Sequence, residues 1–539
     1  MNKPFAITLE VGSSLLNKTG SWRTERPVYL DRLPPCNNAC PAGENIQEWL
    51  FHAEEGDYEA AWRVIMRDNP MPSVMGRACY HPCETSCNRK DVDEAVGIHA
   101  VERFLGDQAT KYGWSIEPGA DTGKHVMVVG AGPAGLSCAY HLRRLGHAVT
   151  LYDAGDKPGG MLRYGIPKYR LPREKLNADI GRIEEMGVNF RMGSRVDDVT
   201  ATMQAEGYDA CFMAVGAHQA RMIDIPGDGS VPVLDGVSVL RAVEDDGQTG
   251  LRGRVAVYGG GNTAMDVARS AIRLGAREVT VITRGSRERM AAHPFEIDES
   301  LLEGVTLANL RTIRRIENGA LVMEEMIQGE EGMKATGRMD ELGADVLVLA
   351  IGQNPDFALV EGQEAAHVED GVMQVDPAMQ TGIPGVFAGG DMVPSERTMT
   401  TAIGHGKKAA RNIDAFLNGT TYAKPPKHEV VGSDMLNTWY YSDADRTVQP
   451  ALEVIRRQSG FAEVLGDLDE GNALFEARRC MSCGNCFECD NCYGVCPDNA
   501  ITKLGPGKRF EFKYDYCKGC GLCAAECPCG AIRMDAEAI

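Results

Sequence analysis

The sequence lacks the long apolar runs and the excess of basic residues that mark several protein classes. No uninterrupted apolar segment is long enough to cross a bilayer, and the first residues lack the pattern of a secretory signal peptide. Acidic residues number 76 against 56 basic ones, which leaves a formal net charge of -20. This charge disfavours binding to nucleic acid or to anionic membranes. We therefore expect a cytoplasmic protein without a membrane span.

The cysteine pattern also argues against a disulfide framework. The 539 residues include 18 cysteines, most of them separated by two or three residues. Such spacing suits metal thiolates, and a chain of this length needs no covalent cross-links for stability. Its 43 % hydrophobic and 24 % charged residues are ordinary for a globular protein. The sequence therefore predicts several folded domains in a reducing compartment.

The C-terminal cysteines form two C-x2-C-x2-C-x3-C-P runs. In such runs the fourth cysteine ligates the cluster of the other run, which predicts a ferredoxin module with two [4Fe-4S] clusters. A structural zinc site is the alternative, but zinc gives no reason for two runs that each end in Cys-Pro. The predicted ligands are Cys486, Cys489, Cys492 and Cys527 for one cluster, and Cys517, Cys520, Cys523 and Cys496 for the other.

A dinucleotide-binding fingerprint follows a short apolar strand at 125–129. Its glycines allow a tight turn and a close approach to a pyrophosphate, and a helix-like stretch comes next. The following strand ends on an acid about 20 residues further on, where it can bind a ribose. The candidate cofactor-binding residues of this first unit are Gly130, Gly132, Pro133, Ala134, Gly135 and Asp153.

A second unit of the same kind starts at residue 255. Its second strand ends in Arg284, not in an acid, and Arg287 and Arg289 follow closely. Arginines at this place favour the 2′-phosphate of NADP over the free ribose of NAD. The alternative is that they form a solvated loop, which leaves the choice of nucleotide open. The candidate residues are Gly259, Gly261, Asn262, Thr263, Ala264, Arg284 and Arg287.

Four ordered motifs resemble the family of the small subunit of NADPH-dependent glutamate synthase. They are GAGPAGL at 130–136, GGMLRYGIPKYRLP at 159–172, GGGNTAMD at 259–266 and GVFAGGD at 385–391. Relatives in this family include the N-terminal half of dihydropyrimidine dehydrogenase and the large subunit of an NADH-dependent ferredoxin:NADP oxidoreductase. The resemblance implies that the first unit binds FAD and the second binds NADPH. It also implies flavin contacts at Gly160, Gly390, Asp391, Ala402 and Ile403.

The same resemblance implies two [4Fe-4S] clusters in an N-terminal helical domain, although the opening C-x2-C of the family is missing before Cys36. Relatives have a sequence similar to residues 476–483 at that position. We therefore expect the missing cysteine pair to be supplied by this C-terminal segment. One cluster would be held by Cys36, Cys87, Cys480 and Cys483. The other would be held by Cys40, Cys79, Cys83 and the helical Glu102, although a glutamate on a helix is more often solvated.

Three cysteines remain outside these four clusters, namely Cys138, Cys211 and Cys529. We expect them to pack as small apolar side chains. Neither nucleotide unit contains a C-x2-C pair, so a dithiol relay is not predicted.

The motifs predict a multidomain α/β protein with two Rossmann-like nucleotide-binding domains. The domain boundaries are expected at 1–30 for an irregular arm, 31–118 for the helical iron-sulfur domain, 119–250 and 351–418 for the FAD domain, 251–350 for the inserted NADPH domain, 419–479 for a tether, and 480–539 for the ferredoxin module with its extra cysteine pair.

The expected function is that of an electron-transfer flavoprotein subunit. It would exchange hydride between NADP(H) and FAD and relay single electrons through the clusters, so no protein acid or base is required. The expected partner within a hetero-oligomer is a 2-oxoacid:acceptor oxidoreductase or a soluble ferredoxin. Alternatives are a glutamate synthase small subunit, a donor to a sulfite-reductase-type system, and a redox scaffold without enzymatic activity.

Overall fold

The computed structural model describes residues 16–329 and 332–537. The strands are β1 Glu25–Tyr29, β2 His125–Val129, β3 Ala148–Tyr152, β4 Asn189–Arg191, β5 Ala210–Met213, β6 Gln219–Ala220, β7 Val233–Asp235, β8 Arg254–Tyr258, β9 Glu278–Ile282, β10 Thr306–Ala308, β11 Arg311–Glu317, β12 Ala320–Gly329, β13 Gly332–Gly343, β14 Val346–Leu349, β15 Gln353–Asn354, β16 Val368–Glu369, β17 Val372–Met373, β18 Val386–Ala388, β19 Ile501–Lys503, β20 Phe510–Phe512 and β21 Ile532–Ala536.

The α-helices are α1 Pro35–Ala39, α2 Ile46–Glu54, α3 Tyr58–Ile65, α4 Pro72–Ala78, α5 Pro82–Thr85, α6 Ile98–Tyr112, α7 Pro133–Arg144, α8 Met161–Tyr164, α9 Arg173–Glu185, α10 Val199–Glu206, α11 Gly236–Glu244, α12 Asn262–Arg273, α13 Pro294–Leu302, α14 Met399–Leu417, α15 Val454–Arg457, α16 Glu470–Arg478, α17 Asn491–Gly494 and α18 Leu522–Ala525. In the described part of the chain, no helix combines the length and the apolar character needed to cross a membrane.

Helices α1 to α6 form the N-terminal domain, and α16 from the C-terminal region packs with them. Helix α4 crosses α6 closely, because a Cβ atom on Gly76 would lie 2.4 Å from the backbone nitrogen of Arg103. Helix α16 contributes Ala473 and Ala477 to the same apolar core as Ile46 and Trp49. The core of this domain is therefore completed by a segment more than 350 residues away in sequence.

The first nucleotide-binding domain is built on a five-stranded parallel sheet with the order β18-β5-β2-β3-β4. Its strands are buried on both faces, as expected for a parallel sheet covered by helices. Helices α7 and α14 pack against each other beside it. The carboxyl ends of β2 and β18 therefore lead into the same region, where ligands bind in such folds.

The second nucleotide-binding domain begins earlier than the expected boundary at residue 251. Strand β7 pairs with β14 in the parallel sheet β10-β9-β8-β14-β7, so β7 and α11 belong to the inserted domain. The short ladder between β6 and β15 marks where the chain enters and leaves it. The insertion therefore spans about 221–352, and it also contains the antiparallel sheet of β11, β12 and β13.

The N-terminal arm is not irregular throughout. Strand β1 pairs antiparallel with β21, with Glu25 opposite Ala536 and Tyr29 opposite Ile532. This sheet joins the arm to the ferredoxin module, which also contains the antiparallel pair β19-β20. The part of the expected arm at residues 1–15 lies outside the described residues. The tether returns towards the N-terminal domain, where Val430 forms a parallel bridge with Leu33.

Candidate functional site

The two nucleotide-binding units open into one cavity of about 2260 Å³. This volume exceeds the range of about 300–1000 Å³ that is usual for one small ligand, and it leaves room for two nucleotides. The predicted residues in its wall are Gly130, Gly132, Pro133, Ala134, Asp153, Gly160, Gly259, Gly261, Asn262, Thr263, Arg284, Gly390, Asp391 and Ala402. The structure thus brings most of the predicted cofactor-binding residues of both units to one place.

The first glycine turn is shaped by close backbone contacts. Gly130 has φ +109°, and a Cβ atom there would lie 2.3 Å from the carbonyl oxygen of Ala214. A Cβ atom on Gly135 would lie 1.8 Å from the carbonyl oxygen of Gly130, so this glycine lets α7 approach the strand. Gly132 has more space, and it precedes an α7 N-terminus that has no side-chain cap. Its free N–H groups fit a pyrophosphate.

Asp153 holds the rim of this turn. Its Oδ2 accepts a hydrogen bond from the N–H of Ala131 at 2.7 Å, and its Oδ1 accepts one from the N–H of Gly155 at 2.7 Å. A carboxylate can accept about four hydrogen bonds, so two remain for a ribose. The fit to the first dinucleotide therefore includes both the phosphate and the ribose positions.

The second unit repeats this geometry. A Cβ atom on Gly259 would lie 2.2 Å from the carbonyl oxygen of Ala350, whereas one on Gly261 would meet no atom within 4 Å. Helix α12 starts after Gly261 without a side-chain cap, so its N–H groups also face the cavity. Ala264 is buried behind this turn.

The arginines after β9 separate into two roles. Arg284 and Arg289 lie in the cavity wall. Arg287, which the sequence placed beside Arg284 as a nucleotide ligand, instead forms an ion pair with the exposed Asp298. A short 3-10 helix spans residues 287–289. Arg289, and not Arg287, therefore shares the cavity wall with Arg284.

Helix α14 lines the side of the cavity where the family resemblance implies the flavin. It is capped by Thr398, whose hydroxyl accepts a hydrogen bond from the N–H of Thr401 at 3.2 Å. Ala402 lies in the wall, whereas Ile403 is fully buried and its carbonyl accepts a hydrogen bond from Ser137 at 2.8 Å. Burial raises the pKa of Asp391. Helix α14 therefore fixes the distance between the glycine turn of the first nucleotide-binding unit and the N-terminal domain.

Arg170, in the segment after α8, connects the two nucleotide-binding domains. Its Nη1 lies 2.9 Å from Asp266 on α12, and its Nη2 lies 2.6 Å from Glu296 on α13. The Tyr80 hydroxyl accepts a further hydrogen bond from Arg170 at 3.2 Å. These contacts hold the inserted domain over the shared cavity. The sequence showed the motif around Arg170 but not its partners.

Three predicted cluster ligands, Cys40, Cys79 and Cys83, come together beside the cavity. Burial raises the pKa of Cys83, and the charges of Glu84, Cys40 and Cys79 raise it further. Burial raises the pKa of Cys79 to about 11. Cys79 itself lies in the cavity wall. Three cysteines grouped in this way can supply thiolate ligands to an iron-sulfur cluster.

Two buried carboxyl groups complete the surroundings of these cysteines. The Asn69 amide donates hydrogen bonds to Glu102 Oε1 at 2.8 Å and to Glu44 Oε1 at 3.1 Å. Burial raises the pKa of Glu102, and it raises that of Glu44 to about 7. Within the described residues, Glu102 has no ion pair. A buried carboxyl group without a cation fits the role of an iron ligand.

Cys480 and Cys483 lie with Cys36 and Cys87, far from them in sequence. Burial raises the pKa of Cys36, and the charges of Cys480, Cys87 and Cys483 raise it further. Burial raises the pKa of Cys483 to about 12, followed by the charge of Cys87. Helix α16 ends just before this pair and delivers it to the N-terminal domain. The structure therefore brings together all four predicted ligands of the cluster that joins both ends of the chain.

A buried ion pair secures the end of α16. Arg479 lies 3.0 Å from Asp93 and 3.1 Å from Glu476, and it also donates to the backbone of residues 94 and 95. Glu476 accepts hydrogen bonds from the N–H groups of Gly97 and Thr447. These residues were not predicted to have a role, and they hold Cys480 in place.

The ferredoxin module groups its cysteines as the spacing predicts. Burial raises the pKa of Cys486 to about 11, and the charges of Cys492 and Cys527 add to this. In the other group, burial raises the pKa of Cys517, with contributions from the charges of Cys496 and Cys520. Cys489 and Cys520 are exposed. Each predicted cluster of the module therefore reaches the protein surface through one ligand.

Two further side chains approach the sulfurs of the ferredoxin module. The Tyr29 hydroxyl, from β1, lies 3.3 Å from Cys492 Sγ. Cys529 is buried in the core of the module, as expected, and its sulfur lies 3.8 Å from Sγ of the predicted ligand Cys527. Cys138 and Cys211 are fully buried in the first nucleotide-binding domain, as expected.

Three segments of the chain match known protein families. Residues 124–406, more than half of the chain, match the pyridine nucleotide-disulphide oxidoreductase family. The chain belongs to that family. Residues 25–114 also match the 4Fe-4S domain II of dihydropyrimidine dehydrogenase, and residues 510–533 match a 4Fe-4S binding domain. The predicted fold class and the assignment as an oxidoreductase are confirmed.

Several curated proteins are similar over most of this oxidoreductase. The beta subunit of the NADP(+)-dependent formate dehydrogenase of Moorella thermoacetica is 35 % identical over 83 % of this chain and 70 % of its own length. The beta subunit of the NADPH-Fe(3+) oxidoreductase of Geobacter sulfurreducens is 33 % identical over 84 % and 76 %. The small chain of the NADPH glutamate synthase of Escherichia coli is 32 % identical over 71 % and 89 %. The predicted resemblance to the last protein is confirmed.

Proposed function

We propose that this chain is the NADP(H)-linked electron-transfer subunit of a larger redox complex, with FAD and four [4Fe-4S] clusters as its cofactors. The observation that supports this function best is the shared cavity, whose wall contains both glycine turns and the predicted cluster ligand Cys79. Two-electron and one-electron chemistry thus have adjoining sites. When bound, FAD exchanges a hydride with the nicotinamide, and the clusters carry single electrons.

The residues of the chain would bind and orient these groups. The α7 N-terminus and Asp153 would hold FAD, while the α12 N-terminus and Arg284 would hold NADP(H). Arg170 would keep the two nucleotide sites facing each other through its contacts with both domains. In this arrangement the protein supplies position and charge, and no side chain needs to act as an acid or a base.

The cysteine geometry supports clusters over zinc ions. A zinc ion binds thiolates at about 2.3 Å, so its ligand sulfurs lie within about 4 Å of one another. Among the described residues, the three-residue group with all ligand atoms within 4.8 Å is His81, Glu84 and His99, which contains no cysteine. The wider spacing of the cysteine groups suits the larger [4Fe-4S] unit.

The partner is proposed from the exposed end of the cluster series and from the relatives. Cys489 and Cys520 reach the surface, where a partner could accept or donate electrons. A 2-oxoacid:acceptor oxidoreductase remains the partner that we propose from the added ferredoxin module. A formate-oxidising subunit is a second candidate, because the relative from Moorella thermoacetica is the beta subunit of a formate dehydrogenase. Purification of the native complex with identification of its subunits separates the two.

Flavin reduction and iron content test the proposed function directly. NADPH should bleach the flavin absorbance of the anaerobic protein, and iron analysis should give about 16 irons per chain.

A substitution tests the choice of nucleotide. Arg284→Asp should weaken NADPH binding by about 2–4 kcal/mol and NADH binding much less, because attraction to the 2′-phosphate becomes repulsion. The matched control is Arg287→Asp, which changes a residue already paired with Asp298. Equal losses for both nucleotides in Arg284→Asp would remove the NADP assignment.

A further inference from the structure

A side chain of the flavin-side helix contacts a predicted cluster ligand. Thr400 Oγ1 lies 3.1 Å from Cys79 Sγ. Thr400 is only 4 % exposed, and both residues lie in the wall of the shared cavity. Among the predicted cluster ligands, all of which are in the described part of the chain, Cys79 alone lies in that wall. This contact therefore lies where the nucleotide cavity meets the predicted cluster that Cys79 ligates.

The chemistry of the pair fixes the direction of the hydrogen bond. A cysteine that ligates iron is a thiolate and has no proton to give, so the Thr400 hydroxyl must be the donor. This hydroxyl has no second hydrogen-bond partner in the described part of the chain. The N–H of His81 donates to the same sulfur at 3.3 Å. Cys79 thus accepts one hydrogen bond from its own loop and one from another domain.

The position of Thr400 is fixed by the packing of α14. A Cβ atom on Gly404 would lie 2.2 Å from the carbonyl oxygen of Pro41, so the helix touches the backbone that follows Cys40. One turn further on, Lys407 donates to the carbonyl of Gly43 at 3.3 Å and pairs with Asp68 at 2.8 Å. The helix therefore cannot slide along the cluster domain, and the hydroxyl remains near the sulfur.

We propose that Thr400 is a positioning residue that orients Cys79 and raises the reduction potential of the cluster that Cys79 ligates. The proposal rests on the function inferred above. Reduction adds one electron to the cluster and neither forms nor breaks a covalent bond. The added negative charge spreads onto the ligand sulfurs, so a donor to Cys79 stabilises the reduced form more than the oxidised form. Helix α14, through Thr400, would thus influence how readily the cluster that Cys79 ligates accepts an electron.

The test compares variants of the full-length protein in redox titrations followed by electron paramagnetic resonance. Thr400→Val keeps the shape and removes the donor, whereas Thr400→Ser keeps the donor. The signal of this cluster is identified as the one that Cys79→Ser alters. Thr400→Val should make the potential of this cluster more negative by up to about 59 mV. This shift corresponds to a tenfold change in the one-electron equilibrium constant. Thr400→Ser should retain the wild-type potential.

A control on the same helical turn separates the hydrogen bond from a general effect on the helix. Thr401→Val removes a hydroxyl that lies 2.9 Å from Thr398 Oγ1, and it should leave the potential unchanged. An unchanged potential in Thr400→Val, or an equal shift in Thr400→Ser, overturns the proposal. If Thr400→Val fails to assemble the cluster, Thr400→Ala replaces it. If the cluster assembles in Thr400→Ser but in neither Thr400→Val nor Thr400→Ala, the result supports the hydrogen bond as the contact that holds Cys79.

The same titrations distinguish this proposal from the proposed function. A wild-type protein without reducible clusters contradicts the function itself. If the clusters are reducible but their potentials do not change in the Thr400 variants, only the role of this residue is contradicted.

Discussion

The two pairs of predicted cluster sites differ in how the chain builds them. The ferredoxin pair takes its ligands from residues 486–527, and its Cys489 and Cys520 are exposed. In the other pair, one site takes its predicted ligands from both ends of the chain, and none of its four cysteines is exposed. A site made from neighbouring residues can be recognised from spacing alone. A site made from distant segments depends on the fold, and it also contributes to holding that fold together.

This difference predicts different consequences when ligands are lost. Metal binding at a site that joins distant segments is coupled to folding, because the ligands hold those segments together. In the N-terminal pair, a cluster bound by Cys480 and Cys483 would also fasten α16, which completes the core around Trp49. In the ferredoxin pair, we expect the ladder between β1 and β21 to hold the module when one ligand is lost.

The largest effect is expected from Cys480→Ala combined with Cys483→Ala. The cluster that joins the two ends of the chain should be lost, with about four irons, and the N-terminal domain should unfold at lower denaturant concentration. Anaerobic iron analysis and a denaturation curve measure the two effects. The matched control is Cys138→Ala with Cys211→Ala, which changes two buried cysteines outside the clusters. Four intact clusters in the Cys480 and Cys483 variant would show that the shared site does not exist.

A smaller, local effect is expected from Cys520→Ala. This exposed ligand belongs to the ferredoxin pair, so only its own cluster should lose iron, and the denaturation midpoint of the N-terminal domain should stay the same. Electron paramagnetic resonance and the same denaturation curve provide the measurement. A common loss of both cluster pairs would contradict the contrast between local and distant sites.

Removal of one carboxylate should have a still smaller effect. Glu102→Ala should reduce the iron content by about one atom, because three cysteines can still hold the remaining irons. Glu44→Ala is the matched control, since Asn69 contacts both carboxyl groups and both are buried. Iron loss in the Glu44 variant but not in the Glu102 variant would exchange the two roles.

The smallest effect is expected from Tyr29→Phe. The change removes a hydroxyl 3.3 Å from Cys492 Sγ but keeps the ring that stacks on Phe512 at 4.8 Å. We expect the potential of that cluster to become slightly more negative without loss of iron, because one donor to a ligand sulfur disappears. A redox titration checks this. An unchanged potential would mean that the hydroxyl does not donate to the sulfur.

Much of the site could be predicted because its chemistry lies in short motifs. Glycine turns, the acid at Asp153 and the cysteine spacing each require particular residue types at fixed intervals. The pairing of Cys480 with Cys36 could also be inferred, because a familiar motif was absent from one place and present in another. The glycine turns and the cysteine runs follow from local backbone geometry and ligand chemistry, whereas the pairing of Cys480 with Cys36 follows from the family resemblance.

Other features depend on contacts that no local pattern encodes. The β1 sequence Glu-Arg-Pro-Val-Tyr has a proline and few apolar residues, so nothing in it indicates a partner at residues 532–536. Strand β7 is three residues long, and only its ladder with β14 places it in the inserted domain. The direction of Arg287 depends on a 3-10 turn and on Asp298. These are tertiary effects, which override weak local preferences.

The separation of Cys36 from Cys480 and Cys483 also constrains the order of biosynthesis. A ribosome that adds about 5–20 residues per second needs roughly 20–90 s to pass from one to the others. Both nucleotide-binding domains are synthesised in that interval, while Cys36 and Cys87 lack the other two cysteines of the proposed site. The proposed cluster can therefore be completed only after both nucleotide-binding domains have been synthesised.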